Sequence, residues 1–175
     1  AVVAVAAALV IGVAAPAHAD AVRDAEYWLD EYGIRAAWQT TQGQGVTIAV
    51  IDTGVDPTVR ELRGAVLEGA DSSGQGDQFG WAPVGGGEGE HGTLVATMAA
   101  GRGSGPGNGV IGVAPGAMIL PISIGFGGDR DSDAQIADAV RFAVDQGADV
   151  INMSLTHNTL EWPVSWDDAF LYAAA

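Results

Sequence analysis

The chain has 175 residues, 48% apolar and 17% charged, with 26 glycines, 7 prolines and no cysteine. This composition suits one ordered, turn-rich domain or part of one, and it excludes disulfides, thiolate metal sites and cysteine nucleophiles. A formal net charge of −15 with only 7 basic residues argues against nucleic acid as a partner, because phosphate backbones are bound through Lys and Arg. The acidity otherwise serves solubility, or favours basic substrates and surface Ca²⁺.

Residues 1–15 are an uncharged run of Ala, Val, Leu, Ile and Gly, followed by Pro16 and by Ala17-His18-Ala19 before Asp20. An apolar core and an A-x-A cleavage site predict a secretory signal peptide over 1–19, lacking its basic start. The run is shorter than the roughly 18 apolar residues of a membrane span, and Pro16 closes it. Cleavage would discard His18 and leave His91 and His157.

From Asp20 to Trp38 the chain reads as helical, with Val22, Ala25, Trp28, Leu29 and Tyr32 at helical spacing and a break at Gly33. The helical segment with its following loop spans 20–42. Val46 to Ile51 is a β-branched run typical of a strand buried on both faces, ending at Asp52-Thr53-Gly54. A weaker strand is predicted over 65–70, a Gly-rich loop over 71–90, and a helix over 91–100 stopped by Gly101. Another strand follows over 119–124. An amphipathic helix over 132–146 carries Ile136, Ala139, Val140, Ala143 and Val144 as its apolar stripe. Asp149 to Leu155 reads as a further buried strand, whose outer side would present an apolar open edge. A helix begins near Trp166, preceded by Ser165, which with Asp168 three residues on resembles a capping box with Asp in place of Glu. Strands alternating with helices predict an α/β fold with a parallel sheet, and such sheets place their sites at the carboxyl ends of the strands.

Taken singly, Asp52 is a turn or capping aspartate and His91 a loop histidine. Together they suit general-base chemistry: a carboxylate where a strand opens into a turn, and an imidazole at the head of a helix. Val50-Ile51-Asp52-Thr53-Gly54-Val55-Asp56 resembles the aspartate motif of the subtilisin-like peptidases, and His91-Gly92-Thr93-Leu94-Val95-Ala96 resembles their histidine motif. Residues 112–117 are similar to the segment leading into that family's next strand, and residues 147–155 to its substrate-groove strand. The N-terminal part, 32–38 with 43–45, looks most like the actinobacterial mycosin type.

The resemblance implies a three-layer subtilisin-like fold and secreted serine endopeptidase activity, with residues 43–175 forming the N-terminal part of the catalytic domain. Asp52 would orient His91, and His91 would take the proton from a serine hydroxyl. Ser154, Leu155 and Thr156 would pair with an extended polypeptide substrate. No cofactor is required by such a reaction. Structural calcium is compatible with the acidic Gly loops, without an assignable site. Export by the signal peptide would place the protein in the extracellular space or cell envelope, and the mycosin likeness implies membrane anchoring by a further C-terminal segment.

Two positions depart from the pattern: Glu90 and Thr156 stand where many relatives have Gly. None of the serines sits on a strand-to-helix elbow with an oxyanion donor, so no nucleophile is assigned. No Met opens the chain and its last helix is cut, so it reads as the N-terminal piece of a longer protein. The alternative from another class is a non-catalytic or peptide-binding relative. An aspartic protease would need a second Asp-Thr-Gly, and a dinucleotide fold would need its glycines after the strand, not before it.

Overall fold

A computed structural model describes residues 20–85, 89–126, 131–156 and 161–175 of the chain. The expected signal peptide, His18 and His157 lie outside the described residues. Strand β1 (Thr47–Asp52) runs between two parallel neighbours, β3 (Met118–Ser123) and β4 (Val150–Asn152), and β2 (Ala70–Asp71) pairs with the far side of β3. The order across the sheet is β2-β3-β1-β4, all parallel.

Alternation along β1 builds the layers. Ile48 and Val50 face one side, where Ile119, Ala96 and Ala100 pack against them. Ala49 and Ile51 face the other, with Leu120, Ile122, Ile136 and Val140. A strand buried on both faces needs a continuous apolar run, which Val46 to Ile51 supplies. Helix α4 (His91–Ala100) covers the first face; α5 (Ser132–Asp145) and α6 (Val164–Ala173) cover the second. The result is the three-layer α/β arrangement expected from the sequence.

Several expected elements differ in detail. The N-terminal helical segment is three single turns, α1 (Ala21–Asp24), α2 (Trp28–Glu31) and α3 (Ile34–Ala37), and only Leu29 of its apolar spacing is buried. It is held by polar contacts instead. Arg23 donates to the carbonyls of Asn108 and Gly109 at 3.1 and 3.0 Å, and Glu26 accepts the Ile111 N–H at 2.9 Å. Arg23 also ion-pairs with Glu26 at 2.9 Å.

The strand expected over 65–70 shrinks to Ala70–Asp71 plus a bridge at Val66. Pro121 supplies the reason. Ile119 donates to Ala65 and Ser123 accepts from Ser72, so odd-numbered β3 residues face this side, and Pro121 has no N–H to give. The strand expected to be buried over 149–155 is only Val150–Asn152, with Val150 49% exposed, because it is an edge with a single neighbour. Helix α4 ends where expected, but Gly101 is extended (φ −57°, ψ 136°), not left-handed. Ser165 lies inside α6, whose N-cap is Pro163 without a side-chain cap, so the expected capping box does not form.

Candidate active site

Sheet register decides which residues meet. Asp52 pairs with Ser123, and the Ile124 N–H donates to the Asp52 carbonyl at 2.8 Å. On the other side Val50 pairs with Asn152, so Ser154 follows that pair by the same interval as Asp52. The carboxyl ends of three parallel strands thus open on common ground.

The Asp52 side chain is 3% exposed, and a buried carboxylate must be hydrogen-bonded. Its Oδ1 accepts the Thr53 N–H at 2.7 Å, and both oxygens lie 2.9 Å from Nδ1 of His91. His91 is the first residue of α4, and its side chain is 53% exposed. An ionised carboxylate can only accept, so the ring keeps its proton on Nδ1 facing Asp52, and in the neutral imidazole this leaves Nε2 as the nitrogen with a free lone pair.

Thr53 joins the two motifs. Its hydroxyl donates to the Gly89 carbonyl at 2.6 Å and accepts the Gly92 N–H at 3.0 Å. The Thr93 hydroxyl returns the contact by accepting the Asp56 N–H at 2.9 Å. Gly54 takes a left-handed φ of +102°, and a Cβ there would lie 2.8 Å from the Ala82 carbonyl. A Cβ on Gly92 would overlap the Gly54 carbonyl oxygen. Two glycines let the turn after β1 and the start of α4 approach within side-chain reach.

A cleft of about 630 Å³ opens at this point. Asp52, Thr53, Glu90 and His91 line it, and so do Ser154, Leu155 and Thr156. The structure therefore brings every sequence-predicted site residue to one cavity. The apolar lining of Leu94, Ile124 and Phe126 was not singled out from sequence. Neither was Gln135, which is fully buried on α5 and grips Gly125 from both sides. Its Oε1 accepts the Gly125 N–H at 2.8 Å, and its Nε2 donates to the Gly125 carbonyl at 3.1 Å. The available signal was spacing: Gln135 is four residues before Ala139 and so shares its inward face.

None of the serines is hydrogen-bonded to His91. Ser154 donates to Asn152 at 3.0 Å, and Ser123 donates to Asp71 at 2.9 Å from a fully buried position. Ser72 and Ser73 are buried, and Ser132 and Ser165 lie within helices. Among the described residues no group of three or more His, Asp and Glu side chains comes together as a metal site.

The subtilase family model matches residues 43–175. Fervidolysin from Fervidobacterium pennivorans is 34% identical over 166 residues, which is 85% of this chain and 22% of fervidolysin. Mycosin-3 from Mycobacterium tuberculosis is 40% identical over 138 residues, 68% of this chain and 27% of that protein. The crystal structure of fervidolysin, described as a keratinolytic enzyme related to subtilisin, superposes with a TM-score of 0.67 at 31% identity, covering 88% of this chain and 24% of that one. That of MycP1 with its N-terminal propeptide removed gives 0.63 at 30%, covering 83% and 44%. The chain thus spans about a quarter of the curated relatives it matches, 22% and 28% for the first two.

Proposed function

Because the chain belongs to the subtilase family, whose relatives here are serine proteases, we propose that it contributes Asp52, His91 and one wall of the substrate groove to a secreted serine endopeptidase. The observation that carries this reading is the Asp52–His91 pair at 2.9 Å, opening on the same cleft as Ser154, Leu155 and Thr156.

In that reaction Asp52 holds the Nδ1–H tautomer and stabilises the imidazolium. Nε2 of His91 takes the proton of an attacking serine and returns it to the leaving amine. The nucleophile comes from outside these 175 residues, since none of their serines reaches His91. An extended polypeptide lies along Ser154 to Thr156 as an added strand, its main chain bonded and its side chains entering the cleft.

Residues 1–19 act as the export signal, 20–42 as a helical wrap and 43–175 as part of the catalytic domain. Export would place the enzyme outside the cell or in the envelope, with Asp20 as the mature N-terminus. Relatives include a calcium-dependent protease of Nostoc and the halolysin-like extracellular serine protease Nep of Natrialba magadii, and one superposed structure is that of the periplasmic assembly from the ESX-5 inner membrane complex. By analogy, calcium and membrane association through a further segment are candidate properties of the whole protein.

A fluorophosphonate probe tests the central claim. The intact gene product should label at a serine outside this chain, and His91→Ala should abolish labelling. Labelling at one of the chain's own serines, or full labelling of the His91 variant, would overturn the assignment. A failure of the intact product to label would favour the peptide-binding relative.

A further inference from the structure

Glu90 immediately precedes His91 and lines the same cleft. It occupies the N-cap of α4, yet its carboxylate makes no capping bond. The residue is exposed, and no hydrogen bond or ion pair engages that carboxylate among the described residues; only its backbone carbonyl is bonded, accepting the Leu94 N–H at 3.0 Å. The other carboxylate of the cleft, Asp52, is 3% exposed and spent on Thr53 and His91. Among the described residues the rest of the lining is the apolar Leu94, Ile124, Phe126 and Leu155 with the neutral Ser154 and Thr156.

Among the described residues no arginine lines the cleft. Arg23 and Arg102 are committed to backbone carbonyls, and Arg35 and Arg141 to Asp30 and Asp138. The protein as a whole carries −15, so the field around the cleft draws cations in. A carboxylate left unpaired beside an apolar wall discriminates by sign: it favours a cation and repels an anion.

We propose that Glu90 is a specificity-determining residue that selects a basic side chain, Arg or Lys, at a substrate position adjoining the scissile bond. This rests on the peptidase reading above. The substrate is then a cationic segment of polypeptide whose neighbouring apolar side chain packs on Leu94 and Phe126. Glu90 takes no part in proton transfer; it acts on the choice of peptide.

The test is a quenched-fluorescent peptide library on the intact gene product, varying Arg, Lys, Gln and Glu at each position beside the cleaved bond. At one position Arg and Lys should exceed Gln in kcat/KM by about tenfold, the scale of a close charge pair near a protein surface. Glu90→Gln should bring that ratio close to unity, and Glu90→Arg should turn it in favour of Glu. The wild-type preference should also shrink as salt is raised. An unchanged ratio in both variants, each with a wild-type melting temperature, would overturn the proposal, as would cleavage by the wild type with no basic preference. If the wild type cleaves nothing and takes up no fluorophosphonate, the peptidase reading itself fails, and this inference with it.

Discussion

Gly92 passes so close to the carbonyl of Gly54 that no Cβ fits between them. These residues flank His91 and follow Asp52, so the approach of two backbones sets the distance between the side chains. The 39 residues separating His91 from Asp52 in sequence are closed at this crossing.

Gly92→Ala is therefore expected to cost about 1–3 kcal/mol through overpacking against a backbone that cannot yield. Thermal melting would show it. The same variant should label more slowly with a fluorophosphonate in the intact protein, because His91 shifts from Asp52. A variant with wild-type melting and labelling would show that the crossing is looser than the structure implies.

Asp52→Asn leaves a side chain of the same shape but removes the charge that faces Nδ1 of His91, which on the proposed mechanism fixes its tautomer. In the intact enzyme kcat should fall by about 10⁴ with folding retained. Steady-state kinetics alongside a circular dichroism spectrum would check both halves of that statement.

Gln135→Leu keeps volume but strips the Gly125 N–H and carbonyl of their partners. The expected cost is on the order of 2–4 kcal/mol, the penalty for leaving buried backbone groups unpaired. A denaturant titration would measure it. In the intact enzyme KM should rise more than kcat falls, because Gly125 carries Phe126 into the cleft without touching the reacting atoms. A loss confined to kcat would contradict this role.

Asp71 gives the chain an acid-sensitive hold on its edge strand. Burial pushes its carboxyl up, but hydrogen bonds from the Ser73 hydroxyl, the Gly76 N–H, the Ser123 hydroxyl and the Ser73 N–H outweigh that and hold it below the ordinary value. A carboxylate depressed in the folded state stabilises above the unfolded pKa of about 3.9, and that contribution fades as pH falls through the folded value. The melting temperatures of wild type and Asp71→Asn should thus differ most near about pH 7 and converge toward about pH 3. A gap of constant size across that range would remove Asp71 from the acid response.

Much of this was legible in residue order. The run Val46 to Ile51 could only be a strand buried on both faces, and β1 is one. The helix over 91–100 was placed with both ends, because His91-Gly92-Thr93 opens a run of small and apolar residues that Gly101 closes. Local pattern failed where a distant partner decided. Residues 65–69 read as a strand, yet the segment opposite them contains Pro121. Val22 and Tyr32 sit at helical spacing but remain exposed, since polar contacts from Arg23 and Glu26 hold that segment.

The sequence by itself singled out the pair proposed for proton transfer, Asp52 and His91, and the strand that leads to Ser154, Leu155 and Thr156. Only the tertiary structure decided that these share one cleft. It also showed that Gln135 turns inward to hold Gly125 and that Glu90 is left unpaired at the cleft among the described residues. The physical reason is that apolar periodicity is written locally, one element at a time, whereas the partner of a buried polar group is chosen by sheet register and backbone crossings between segments far apart in the chain.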